Sequence, residues 1–246
     1  MAAQPAADQR RVVGTSRRVS SPPAREVETR HAQFRYIHRP VRTFLGAGDP
    51  VISVDTKKKE LVGAFKNAGR RWRRKGKAQQ VSVHDSPHGG KGQAIPDGAY
   101  DIARDPAVVN VGITHDTAES AVESMRRWWR RDGQKNSRQV QGLLICADSG
   151  GSNGNRQRAW KTPRQQLCDE NRMPITGCHY PLGTSPWNQI EPRLFSFISL
   201  NWRGRPLVNY ETGVPISKEE FDPVRIQRHR VHPDWNYTLL PHTGGA

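Results

Sequence analysis

This sequence lacks any apolar run near the roughly 20 residues that a transmembrane helix needs. Twin arginines stand at Arg10 and Arg11, but no apolar stretch follows them, which argues against a secretory signal. The chain starts Met1-Ala2-Ala3, without a myristoylation glycine, and its last residues hold no prenylation cysteine. A membrane partner is therefore not expected. Cysteine is scarce: Cys146, Cys168 and Cys178 are odd in number and never spaced Cys-x-x-Cys. They read as buried thiols in a reducing cytoplasm, not as a zinc site or a disulfide framework. Internal repeats are absent as well.

Acidic residues are outnumbered. Lys and Arg total 39 against 23 Asp and Glu, a formal net charge of +16 over 246 residues. Such an excess points to a polyanionic partner, nucleic acid first. Acidic lipid would call for a basic amphipathic helix or a lipid anchor. The length suits one large domain with a real core.

Residues 1–29 are rich in Ala, Pro, Ser and Arg without periodicity, and read as a disordered tail. Phe34, Ile37, Val41, Phe44 and Leu45 follow helical spacing over residues 31–45, with a kink expected at Pro40 and a stop at Gly46. Residues 51–54 form a short β-rich run ending on Asp55; residues 61–65 are a second, joined to the first by a polar hairpin connection. Residues 100–102 and 108–113 are further strand material. A helix is expected over residues 117–131, with Asp116 and Glu119 as its capping pair and Gly133 as its stop. Ala118, Ala121, Val122, Met125 and Trp129 form its inward stripe, and one of Trp128 and Trp129 is expected in the core.

Leu143-Leu144-Ile145-Cys146-Ala147 suits a strand buried on both faces, ending on Asp148. A helix interrupted by Pro163 should start near Asn155, followed by a strand over 175–178. A loop over 181–186 then leads into a helix carrying Glu191, Leu194, Phe195, Ile198 and Leu200. Pro192 fits best with Glu191 as the cap of that helix. The order predicts a mixed α/β fold around an open sheet.

Asp55 and Asp148 each close a strand, where ligands of open α/β sheets gather, and Glu191 starts a helix. Carboxylate oxygens are the donors that Mg²⁺ prefers, and two such ions can clamp the attacking and leaving oxygens of an in-line displacement. Any one of these acids alone also suits a turn or a helix cap.

Three motifs carry a specific resemblance. Val54-Asp55-Thr56-Lys57-Lys58-Lys59-Glu60-Leu61-Val62-Gly63 resembles the first acidic motif of the Rhodopirellula-type DDE transposases of bacterial insertion sequences. Ala147-Asp148-Ser149-Gly150-Gly151-Ser152-Asn153-Gly154 resembles their second. Cys178-His179-Tyr180-Pro181-Leu182-Gly183-Thr184-Ser185-Pro186-Trp187-Asn188-Gln189-Ile190-Glu191 resembles their third. The match spans residues 31–211, with a short echo at residues 234–237. It implies a ribonuclease-H-like mixed sheet flanked by helices and an enzyme that cuts DNA ends and transfers the strand. The implied cofactor is Mg²⁺ or Mn²⁺, as two ions. Asp55 would bridge both, while Asp148 and Glu191 would each complete one site. The implied partners are element ends and target DNA, with room for a homo-oligomer on DNA and a nucleoid-associated location. Asn153, His179, Trp187 and Asn188 lie within these motifs as candidates for supporting the site; ordinary loop packing suits them equally.

Arg70, Arg71, Arg73, Arg74, Lys75 and Lys77 surround Trp72 in one stretch. DNA phosphates and an unpaired base are the functional reading, a solvated charged loop the plain one. The glycines after Asp148 lack the Lys-Ser/Thr of a nucleotide loop, so ATP binding is rejected. His84, Asp85 and His88 have only incidental metal-ligand spacing. No helix-turn-helix signature precedes the match, and residues 212–246 read as a shortened, irregular segment. A truncated copy is therefore expected: a basic tail over 1–30, the catalytic domain over 31–211 and that final segment. The alternatives are an inactive remnant that only binds DNA and a related nuclease that never joins strands.

Overall fold

The computed structural model describes residues 24–70, 72–82, 92–112, 117–136, 140–150, 158–204, 206–207, 226–228, 230 and 236–241. Its elements run α1 (Ala24–Ala47), β1 (Val51–Thr56), β2 (Glu60–Val62), β3 (Gly92–Asp101), β4 (Ala107–Gly112) and α2 (Ala118–Trp128). A π-helical turn (Trp129–Gly133) and the short α3 (Gln134–Asn136) extend α2. Then come β5 (Leu143–Ala147), α4 (Arg158–Asn171) and β6 (Ile175–His179). A 3-10 turn (Ser185–Trp187) and a π-helical turn (Glu191–Phe195) lead into α5 (Ser196–Trp202), followed by β7 (Ile226–Arg228) and β8 (Asn236–Leu239). No helix among the described residues is long and apolar enough to cross a membrane.

β1 lies at the centre of the sheet, antiparallel to β3 and parallel to β5, and β5 is parallel to β6. β4 pairs antiparallel with β3. The path β4-β3-β1-β5-β6 is the ribonuclease-H-like mixed sheet that the resemblance implies. One face carries α2 and α4 against Ile52, Val54, Leu143 and Ile145. The other carries α1 against Val51, Leu144, Cys146 and Cys178. Helices on both faces are why all five β5 residues are buried and why that run shows no alternation. All three cysteines are free and buried, as the sequence predicts.

Several expectations need correction. α1 starts at Ala24, so the last residues assigned to the tail are helical, and it continues through Pro40 to Ala47. β1 and β2 are not a hairpin: the register runs from Thr56↔Asp97 to Glu60↔Ala94, so both lie along the same edge of β3. The cap of α2 is Thr117, whose side chain accepts from the Ser120 N–H at 3.2 Å; Asp116 lies outside the described residues. Trp128 and Trp129 are both buried because the extra residue of the π-turn shifts the stripe by one position, and the helix runs past Gly133 to Asn136. α4 runs through Pro163 without a break.

The end of the chain is not wholly irregular. β8 pairs antiparallel with β6 and β7 with β8, widening the sheet to eight strands. Tyr237 and Leu239 of β8 are fully buried, and the Tyr237 ring lies 5.0 Å from the guanidinium of buried Arg164. Asn236 exchanges hydrogen bonds of 2.8 Å with Gln33 of α1, tying the first and last described elements together.

Candidate active site

The register brings two acids side by side. Val54 pairs with Ala147 across the parallel β1–β5 ladder, so Asp55 and Asp148 are the next step at the same carboxyl end. Side chains alternate along a strand, which puts Val51, Ser53 and Asp55 on one face, with Leu144, Cys146 and Asp148 beside them. It is the α1 face.

Glu191 reaches that face through Asn188 and Ile190. Ser53 Oγ donates to Asn188 Oδ1, and Asn188 Nδ2 donates to the Val54 carbonyl at 3.0 Å. The Ile190 N–H donates to Ser53 Oγ at 3.0 Å, and the Glu191 N–H to the Asn188 carbonyl at 3.0 Å. Asn188 and Ile190 are fully buried, so these bonds hold the third motif onto the strand of the first. Gly98 on β3 pairs with Asp55. A Cβ there would stand 2.7 Å from Ile190 Cδ1 and 2.9 Å from Phe195 Cε1, so the close seating of the Glu191 turn depends on this glycine. Glu191 is the first residue of its turn rather than the cap, which is Ile190; Pro192 occupies the next position, where its missing N–H costs nothing.

Each acid has local partners. Asp55 Oδ1 accepts from the Thr56 N–H at 2.8 Å, and Asp148 Oδ1 from the Ser149 N–H at 2.9 Å. Asp148 Oδ2 accepts from Ser185 Oγ. Glu191 is held above the usual carboxylate range: burial is the largest cause, Lys57 opposes it, and the charge of Asp148 adds to it. Lys57 is itself buried, with Nζ 3.4 Å from Glu60 Oε1 and 5.1 Å from the Trp202 ring centre. Carboxylate oxygens suit a hard divalent cation, and Asp55 and Asp148 offer them side by side at the carboxyl ends of β1 and β5. Among the described residues, however, no three His, Cys, Asp or Glu side chains are gathered into a group that could hold a metal ion.

The supporting candidates separate. Asn188 docks the third acid. His179 is fully buried behind the strand ends, its Nδ1 3.1 Å from the Asp148 carbonyl and its ring stacked on Tyr237. Burial, reinforced by Arg164, pulls its pKa down to about 3, so it is neutral and supports the Asp148 backbone. Trp187 is exposed and meets Phe34 edge-on at 5.8 Å. Asn153, Arg71 and the stretch holding His84, Asp85 and His88 lie outside the described residues. Of the basic stretch, Arg70, Trp72, Arg73, Arg74, Lys75 and Lys77 are all exposed, Trp72 completely.

Sequence reasoning missed Ser53, Lys57, Asp97, Gly98 and Ser185. Ser53 lies two residues before Asp55, and strand alternation could have placed it on the same face. Asp97 is buried on β3, where its carboxylate accepts from Thr56 Oγ1 at 2.7 Å and from Ser120 Oγ, joining β1, β3 and α2. Nothing local marks Gly98, whose role depends on a helix far away in sequence.

The profile of the family described as Rhodopirellula transposase DDE domain matches residues 15–212. No curated protein matches the chain. Among solved structures, the Mos1 transposase paired-end complex with left transposon end aligns at TM-score 0.48 and 12% identity, over 80% of this chain and 56% of that one. The Mos1 mariner paired-end complex with Mn aligns at TM-score 0.42 and 13% identity over the same shares. The Mos1 strand transfer complex aligns at TM-score 0.44 and 11% identity, again over the same shares. The chain thus spans little more than half the length of these solved chains.

Proposed function

This chain belongs to the Rhodopirellula transposase DDE domain family, and from that premise we propose that it carries the phosphoryl-transfer centre of a DNA transposase, built on Asp55, Asp148 and Glu191. The observation that supports this most directly is the placement of the three acids along the backbone. Two end adjacent parallel strands, and the third is tied to the first strand through Asn188.

Asp55, Asp148 and Glu191 are the residues that would hold Mg²⁺ or Mn²⁺, two ions on this reading. Such ions, when bound, supply Lewis acidity for a water or 3′-hydroxyl nucleophile and offset charge on the phosphate. The protein's own part is positional. Ser185 fixes one oxygen of Asp148, Asn188 fixes the turn of Glu191, and neutral His179 supports the backbone at Asp148 without adding charge. Lys57 offsets part of the negative charge around Glu191. The partners on this reading are element ends and target DNA, approached by a basic surface and assembled as a homo-oligomer.

A chain that binds DNA without cutting it is the second reading, favoured by the absence of a gathered three-acid group among the described side chains. Nicking of supercoiled plasmid in Mn²⁺ separates the two. The catalytic reading expects nicking that Asp148→Asn abolishes while DNA affinity changes less than about twofold. Equal nicking by the variant would remove the acids from the mechanism, and a wild-type chain that binds DNA but never nicks it would establish the second reading.

A further inference from the structure

The basic stretch is not a free loop. The Gly63 N–H donates to the Leu207 carbonyl at 2.7 Å, and the Gly204 N–H to the Ala68 carbonyl at 2.9 Å. Within it, Ser82 N–H bonds the Ala64 carbonyl at 2.7 Å and Lys66 N–H the Ser82 carbonyl at 3.0 Å. Gly69 has φ +90°, and a Cβ there would stand 2.2 Å from Arg203 Cγ, so the Arg203 stem lies directly against the loop backbone. Gly63, Ala68 and Gly69 are thereby fastened to the segment that follows α5, and Ser82 to Ala64 and Lys66.

Between the two lies a cavity of about 410 Å³. Buried Phe65, with Val81 and Pro206, gives it an apolar lining, and exposed Lys66, Arg73 and Arg74 give it positive charge. Trp72, wholly exposed, directly precedes Arg73. That volume lies within the roughly 300–1,000 Å³ of small-ligand sites, room for one nucleotide and not for a base pair within a duplex. Apolar walls suit the face of a base, and lysine and arginine suit its phosphate. Resting on the DNA reading above, we infer that this cavity takes one unstacked nucleotide of a DNA strand, with Trp72 stacking on the neighbouring base. None of the three acids, and neither Asn188 nor Ser185, is among the residues that line the cavity. It is therefore a second contact on the same DNA and not part of the cutting centre.

Fluorescence anisotropy with the full chain tests this. The probes are a labelled blunt duplex and the same duplex bearing a single-stranded overhang, at one salt concentration. Wild-type protein is expected to bind the overhang DNA at least about fivefold more tightly, the scale of one stacked base. Trp72→Ala, and separately Ala78→Trp, which puts bulk into the cavity lining, should each reduce that preference severalfold. Blunt-duplex affinity should change less than about twofold, showing that both variants remain folded. Equal wild-type binding to the two probes, or a preference that survives both substitutions, would overturn the inference while leaving the DNA reading intact. Absence of binding to either probe would overturn both.

Discussion

Gly98 faces Asp55 across the β1–β3 ladder, and its missing side chain is what lets Ile190 and Phe195 settle over the first acid. Gly98→Ala is accordingly expected to destabilise the fold by about 1–3 kcal/mol, as overpacking does. Adding Ile190→Val removes the Cδ1 atom nearest the new methyl and should recover part of that loss. Urea unfolding of the single and double variants checks this; a Gly98→Ala protein as stable as wild type would show that the turn has room to move.

Asn188 is the second anchor of the same turn. Asn188→Ala removes its bonds to Ser53 Oγ and the Val54 carbonyl in a fully buried place, for an expected cost of about 1–3 kcal/mol. Because those bonds seat Glu191, plasmid nicking should fall much further than DNA affinity. Parallel losses of both would make Asn188 a stability residue only.

His179 predicts a pH dependence. Its folded pKa is pulled below the ordinary 6.5 to about 3. The unfolded chain therefore binds the extra proton first as pH falls. Stability from this group is full above about pH 6.5 and is lost as pH drops toward the folded value. Between pH 7 and pH 5 the loss should be about 2 kcal/mol, from 1.36 kcal/mol per pH unit over most of that span. His179→Asn, which cannot titrate, should flatten the dependence even if it is less stable overall. Urea midpoints at the two pH values decide, and equal slopes for both proteins would place the pH response elsewhere.

The sequence made the two strand-end acids legible, because the apolar run before Asp148 and the β-branched run before Asp55 are local signals. Asp55 and Asp148 are neighbours because of a parallel register that no local pattern shows. β3 was visible only at its Tyr100 end. Its earlier part, residues 92–99, contains Pro96 and the glycines Gly92 and Gly98, which read as loop, yet it belongs to the strand that pairs with β1 and β2. Residues 234–237 were legible as an echo of the family pattern, but the strand Asn236–Leu239 was not, since its burial depends on β6 and Arg164. The helix stop expected at Gly133 failed for another reason. Glycine marks a helix end only where no π-turn and following residues carry the hydrogen bonding onward.

On the proposed function, Asp55, Asp148 and Glu191 act together as one cation site. The most direct measurement is a Mn²⁺ titration by calorimetry on the full chain with a DNA duplex present, comparing wild type with Asp55→Asn. Saturable binding in the wild type, lost in the variant, is the expected result. Identical binding in both, or none in either, would contradict it.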